Sequence, residues 1–197
     1  MLLLESITLD EEIDDIVEDP IETTSTTTTA SSGKTSKVSG DVKTTVTTTK
    51  VTTTKTTKKV DTKDNYIGIL EVPDVNIKRG FLSLDSKYNS IKYNVTLIKG
   101  SSMPDVDKGN LILAAHRGTS KVSYFENLYK LKIGSLAYVT YKGKKYTYKL
   151  LETYEVPKTG TLTISRDGNE TALTLITCTR DNKKTQTIFN YELISVK

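Results

Sequence analysis

From Tyr66 onward the chain gathers its apolar residues into short stretches, each bounded by Gly, Pro or polar residues. Tyr66-Ile67-Gly68-Ile69-Leu70-Glu71-Val72-Pro73 reads as a strand closed by proline, and Val75-Asn76-Ile77-Lys78-Arg79 alternates with the two-residue period of a second. Ile91 to Lys99 is rich in β-formers and ends at Gly100. Asn110-Leu111-Ile112-Leu113-Ala114-Ala115 is a continuous apolar run, the signature of a buried strand. Tyr124 to Leu131 places its apolar residues at helical spacing and predicts one helical turn or two. Ala137 to Tyr141 and Lys145 to Leu151 flank Lys142-Gly143-Lys144, a hairpin signal. Thr171 to Thr177 predicts a strand running into Cys178, and Thr187 to Val196 predicts the last one. Seven or eight short strands with little helix suggest a closed β-barrel or a sandwich.

The first 63 residues follow another pattern. In residues 9–22, Ile13, Ile16 and Val17 stand at i, i+3 and i+4, which suits one short acidic amphipathic helix ended by Pro20. Residues 23–63 hold 18 Thr among 41 residues, with interspersed lysines and no aromatic. A β-branched chain of this kind favours extended backbone without packing, and reads as a disordered Thr/Lys-rich linker or stalk. All 11 Tyr and 3 Phe lie at or beyond Tyr66. Three regions follow: an acidic segment 1–22, a linker 23–63 lying outside the fold, and a folded domain 64–197.

Composition narrows the chemistry. A single Cys excludes an intramolecular disulfide and a Cys-rich zinc site, and a single His leaves little for a histidine metal cluster. No apolar run approaches the length of a membrane-spanning helix, and Met1-Leu2-Leu3-Leu4 is followed by acids rather than by the long apolar stretch of a signal peptide. The net charge of +4 divides into −9 over residues 1–22, +6 over 23–63 and +7 over the remainder. The lysines of the last region are scattered among strand-like segments rather than massed on one element, which argues against nucleic-acid binding.

The sole His and the sole Cys each end an apolar strand, where a rigid scaffold displays reactive side chains. A thiol titrating near 8.5 needs a nearby cation to favour the thiolate, and a His can supply that charge and later a proton. The pair suits acyl transfer through a thioester. Taken alone it is weak evidence, because a lone Cys is most often a small buried apolar residue.

The surrounding residues add more. Thr174-Leu175-Ile176-Thr177-Cys178 resembles the TLxTC segment of the sortase family of Gram-positive transpeptidases, whose Cys is the nucleophile. Gly109-Asn110-Leu111-Ile112-Leu113-Ala114-Ala115-His116 resembles its G-N-x-V-L-A-G-H segment, whose His is the acid/base. Phe125 to Gly134 is similar to its F-x-x-L-x-x-L-x-x-G connector, and Ile67 to Pro73 to its opening strand. The resemblance covers about 66–197 and leaves the sub-class open, with a class D-like member among the choices. It implies a closed eight-stranded β-barrel with one or two short helices. Its groove would take an LPXTG-like sorting signal, which Cys178 attacks at the Thr–Gly carbonyl while His116 protonates the leaving amine. An amine of a cell-wall precursor or of another protein resolves the thioester. The family uses no organic cofactor; some members bind calcium, for which Glu152, Glu155, Asp105 and Asp107 are the acids to consider.

The sequence departs from the family in two places. Gln186 stands where the resemblance expects an Arg that holds the substrate and the oxyanion; Arg180, two residues after Cys178, is a rival for that role, and Arg117 a weaker one. A degenerate barrel that binds sorting signals or wall polymer without catalysis is the alternative this raises. The family's N-terminal membrane anchor is also not visible, so the expectation is an extracytoplasmic domain, spaced by the Thr-rich arm from an anchor upstream. Val156-Pro157-Lys158-Thr159-Gly160 itself resembles a sorting signal, but no apolar stretch and basic tail follow it, and coincidence is the better reading.

Overall fold

The computed structural model describes residues 2–8 and 66–197. The acidic helix expected over 9–22 and the linker over 23–63 fall outside the described residues. Ten strands occur among those described: β1 (Leu2–Thr8), β2 (Gly68–Val72), β3 (Ile77–Phe81), β4 (Thr96–Leu97), β5 (Asn110–Ala114), β6 (Leu136–Tyr141), β7 (Lys144–Pro157), β8 (Thr161–Asp167), β9 (Ala172–Cys178) and β10 (Thr185–Val196). Eight of them form one sheet in the order β3-β2-β6-β7-β10-β9-β5-β4, while β1 and β8 form a separate antiparallel pair. Every ladder of the large sheet is antiparallel except β5–β9, which is parallel.

The sheet curls until its two edges nearly meet. Phe81 at the end of β3 forms a parallel bridge with Val95, just ahead of β4, and the Asn94 side chain donates to the Gly80 carbonyl at 2.8 Å. The result is a nearly closed eight-stranded barrel. Its short helices are single 3-10 turns at Pro73–Val75 and Leu128–Lys130. The latter is all that becomes of the helical spacing in 124–131. Of the β-rich stretch 91–99 only Thr96–Leu97 is a strand, because Asn89 takes up both backbone groups of Leu97 (2.8 and 2.9 Å) and the chain before it coils around Ser90. The β6–β7 turn has positive φ at Lys142 (47°) and Gly143 (76°), the backbone of a primed hairpin turn that matches strand twist.

Two apolar layers lie on opposite faces of the same strands. Leu70, Val72, Phe81, Leu113, Val139, Tyr148, Leu175 and Tyr191 fill the interior. Gly68 is required there: a Cβ would stand 2.4 Å from Cζ of Phe81. On the outer face Ile112, Ala114, Ile176, Cys178 and Ile188 form a second cluster with Leu162 and Ile164 of β8. Strands β5 and β9 are therefore buried at every position, which is why both read as continuous apolar runs.

The outer layer depends on a part of the chain that sequence patterning left out. Residues 2–8 pair with β8 from Leu2 opposite Asp167 to Thr8 opposite Thr161. Glu5 receives Nε (2.8 Å) and Nη2 (2.6 Å) of Arg166, and its other oxygen receives the Asn110 amide at 2.8 Å. Arg166 is buried, and its Nη1 and Nη2 donate to the carbonyls of Asp167, Glu170 and Lys108.

Candidate active site

The parallel register of β5 and β9 decides where the sole His and sole Cys stand. Ala114 is opposite Ile176, and two residues further along each strand come His116 and Cys178. The Ala115 amide donates to the Ile176 carbonyl (3.3 Å) and the Thr177 hydroxyl to the Ala115 carbonyl (3.0 Å), so the pairing persists to the strand ends. Beyond them, Arg117 Nη1 donates to the Thr179 carbonyl at 3.2 Å and ties the two exit loops together. The carbonyl of His116 receives the Phe125 amide at 3.0 Å, anchoring the loop on the other side. His116 is half-buried.

Cys178 is 3% exposed and belongs to the outer apolar cluster. The hairpin from β7 to β8 reaches it directly: Lys158 Nζ donates to Cys178 Sγ at 3.1 Å. The segment 156–160 thus begins as the end of β7 and turns over the thiol. Lys158 was not among the sequence candidates. Its only signal was its place within the sorting-signal-like pentapeptide, since nothing local to 158 marks a contact 20 residues away.

Gln186 is the direct cross-strand neighbour of Cys178 in the β9–β10 ladder and pairs on its other side with Val156 of β7. It is fully buried, and neither polar atom of its carboxamide has a hydrogen-bond partner among the described residues. A buried amide with unused donor and acceptor capacity is costly in isolation, by about 1–3 kcal/mol, and is suited to a peptide backbone.

Arg180 comes two residues after Cys178. Its side chain is 51% exposed, stacks on the Tyr129 ring with the guanidinium carbon 4.3 Å from the centroid, and meets Asp181 at 3.4 Å. Three of the four acids considered for calcium hold other partners: Asp105 pairs with Lys142 (3.0 Å), Glu152 accepts from Asn190 (3.0 Å) and Glu155 from Thr185 (3.0 Å). Among the described residues no three His, Cys, Asp or Glu side chains converge.

A model of the sortase domain matches residues 70–193, nearly the whole barrel. This chain belongs to the sortase family. The curated relative Sortase A of Staphylococcus aureus (strain NCTC 8325 / PS 47) is 27% identical over 125 residues, 62% of this chain, and the match spans 60% of that relative's length. Among solved structures, a lid mutant of sortase A from Corynebacterium diphtheriae aligns with a TM-score of 0.58 at 20% identity, covering 66% of this chain and 70% of that one. Streptococcus agalactiae sortase C1, in a complex with MTSET, aligns with a TM-score of 0.57 at 23% identity and the same coverages, 66% and 70%. These likenesses establish the sortase barrel; sortases of several classes share it. No helix among the described residues is long and apolar enough to cross a membrane.

Proposed function

We propose that this sortase is a cysteine transpeptidase that cleaves an LPXTG-like sorting signal between Thr and Gly. The observation that carries the reading is the in-register placement of the sole His and sole Cys at the ends of adjacent parallel strands. The thiolate of Cys178 attacks the Thr carbonyl carbon, forming a C–S bond and a tetrahedral oxyanion. The C–N bond to Gly then breaks as His116 gives a proton to the leaving amine. In the second half an amine of a cell-wall precursor or another protein attacks the thioester, a new C–N bond forms as His116 takes the amine proton, and Cys178 leaves as thiolate. Gln186 supplies a neutral amide donor beside the thiol, suited to the oxyanion or to the peptide backbone. The partners are thus a surface-protein sorting signal and a wall amine, and the place of action is outside the cytoplasmic membrane.

Burial of Cys178 adds a condition: the β7–β8 hairpin must lift for a peptide to reach the sulfur. The test uses the full chain with a quenched LPXTG-type peptide and an amine acceptor. Cleavage with transfer is expected, together with a thioester adduct visible by mass spectrometry, and both should vanish in Cys178→Ala and fall by about 10²-fold or more in His116→Ala. Undiminished turnover by Cys178→Ala overturns the reading.

A further inference from the structure

Cys178 presents a physical problem that the reading above leaves open. Its neighbours in the outer cluster are Ile176, Ile188, Leu162 and Ile164, and the side chain opposite it on β10 is an uncharged Gln. An apolar setting favours the neutral thiol, which is a poor nucleophile. The Lys158 ammonium reaches the sulfur. Lys158 Nζ lies 3.1 Å from Sγ, at hydrogen-bonding distance with nitrogen as donor.

The contact is held by more than a long side chain. The Lys158 amide donates to the Lys184 carbonyl at 3.0 Å, which fixes the residue at the root of the hairpin against the loop that leads into β10. Its side chain is half-buried, so the ammonium acts partly screened from water, where a charge at this distance has most effect.

We propose that Lys158 is the cationic partner of the Cys178 thiol, a positioning residue that favours the thiolate and orients its sulfur. This deepens the cysteine chemistry proposed above and rests on it. Lys158 donates a hydrogen bond to the sulfur; the thiol proton leaves to buffer. The other charged or titratable groups near the sulfur are His116 beyond β5, Arg117 bound to the Thr179 carbonyl, and Tyr154 of β7 at the edge of the cluster. Glu155 alternates to the opposite face of β7, where it accepts from Thr185. Arg180 stacks on the Tyr129 ring.

The experiment measures alkylation of Cys178 by iodoacetamide, an uncharged reagent that the lysine cannot steer, as a function of pH in the full chain, in Lys158→Gln and in Lys158→Arg. Lys158→Gln is expected to raise the midpoint of the rate profile by about one pH unit and to slow labelling at pH 7 by about tenfold; Lys158→Arg should keep most of the wild-type midpoint. A looser hairpin would instead raise the plateau rate with no change of midpoint, so access and ionisation are read separately. A midpoint unmoved in Lys158→Gln overturns the proposal, as does an equal shift in Lys158→Arg. Because the readout is thiol reactivity, a shifted midpoint in a chain that cleaves no sorting peptide would sustain the lysine's role and sink the transpeptidase reading alone.

Discussion

The barrel interior and the layer that holds Cys178 share β5 and β9, yet they are covered in different ways. The interior is enclosed by a continuous ladder of eight strands, so each residue there is held by neighbours from several elements. The outer layer is roofed by one arm of a hairpin, β8, whose only strand partner among the described residues is β1 from the far end of the chain. Cys178 thus sits on a rigid strand under a cover that is joined to the barrel by side chains rather than by the ladder.

Truncating one residue in each layer tests this contrast with the largest expected effect. Leu113→Ala should cost about 2–5 kcal/mol in urea denaturation, as a cavity in an interior that cannot collapse. Leu162→Ala should cost roughly half as much and should speed iodoacetamide labelling of Cys178, because β8 can settle or lift. Equal losses in the two variants would break the comparison.

A second, smaller effect is expected at the clasp between β1 and β8. Glu5→Gln removes the charge that Arg166 meets on β1 but leaves the three carbonyls that the arginine also holds. Amide exchange over Thr161–Asp167 should accelerate about tenfold, equivalent to about 1.4 kcal/mol of local opening, while the global denaturation midpoint barely moves. Unchanged exchange in that strand would mean that β1 does not hold the roof down.

The smallest effect distinguishes two tyrosines. Tyr148 is fully buried in the interior, and its hydroxyl has no hydrogen-bond partner among the described residues. Tyr154 of the outer layer receives the Ser165 amide of β8 at 2.9 Å. Tyr148→Phe should leave stability within about 1 kcal/mol or improve it, whereas Tyr154→Phe should lose about 1 kcal/mol. Burial holds the Tyr148 phenol, like that of Tyr191, far above its ordinary value. The sign follows from proton binding: above pH about 10 the unfolded chain releases these protons and the folded one keeps them, so stability present below that pH declines as pH rises. Tyr148→Phe should flatten part of the alkaline decline, which melting curves between neutral and alkaline pH would show.

Much of the barrel was legible because its strands are short and bounded by strong punctuation. Asn110–Ala114 and Ala172–Cys178 read as buried strands because both faces are covered, and the Lys142-Gly143 turn because positive φ at both positions is a local demand. The placement of His116 beside Cys178 rested on resemblance, since a parallel pairing between distant strands leaves no local trace. Strand β8 was missed for a related reason. Thr161–Asp167 alternates cleanly, with Leu162, Ile164 and Arg166 buried, but its partner is Leu2–Thr8, and those residues sit in an acidic stretch with nothing nearby to pack on. Lys158 was illegible because a lysine's reach depends on where a hairpin folds back. The stretch 91–99 misled in the opposite direction: its β-formers apart from Tyr93 are buried, but side-chain bonds from Asn89 and Asn94 close the barrel there without a ladder.

The parallel match of β5 to β9 also has a consequence for how the molecule is made. The residues it joins are 62 apart, so the pairing closes only after the intervening chain has been laid down, among the later events in folding. Until then the sulfur has neither the Lys158 ammonium nor the Gln186 side chain beside it. A chain nicked anywhere between the two strand ends would carry every one of those groups, yet the covalent tether that sets their register would be gone.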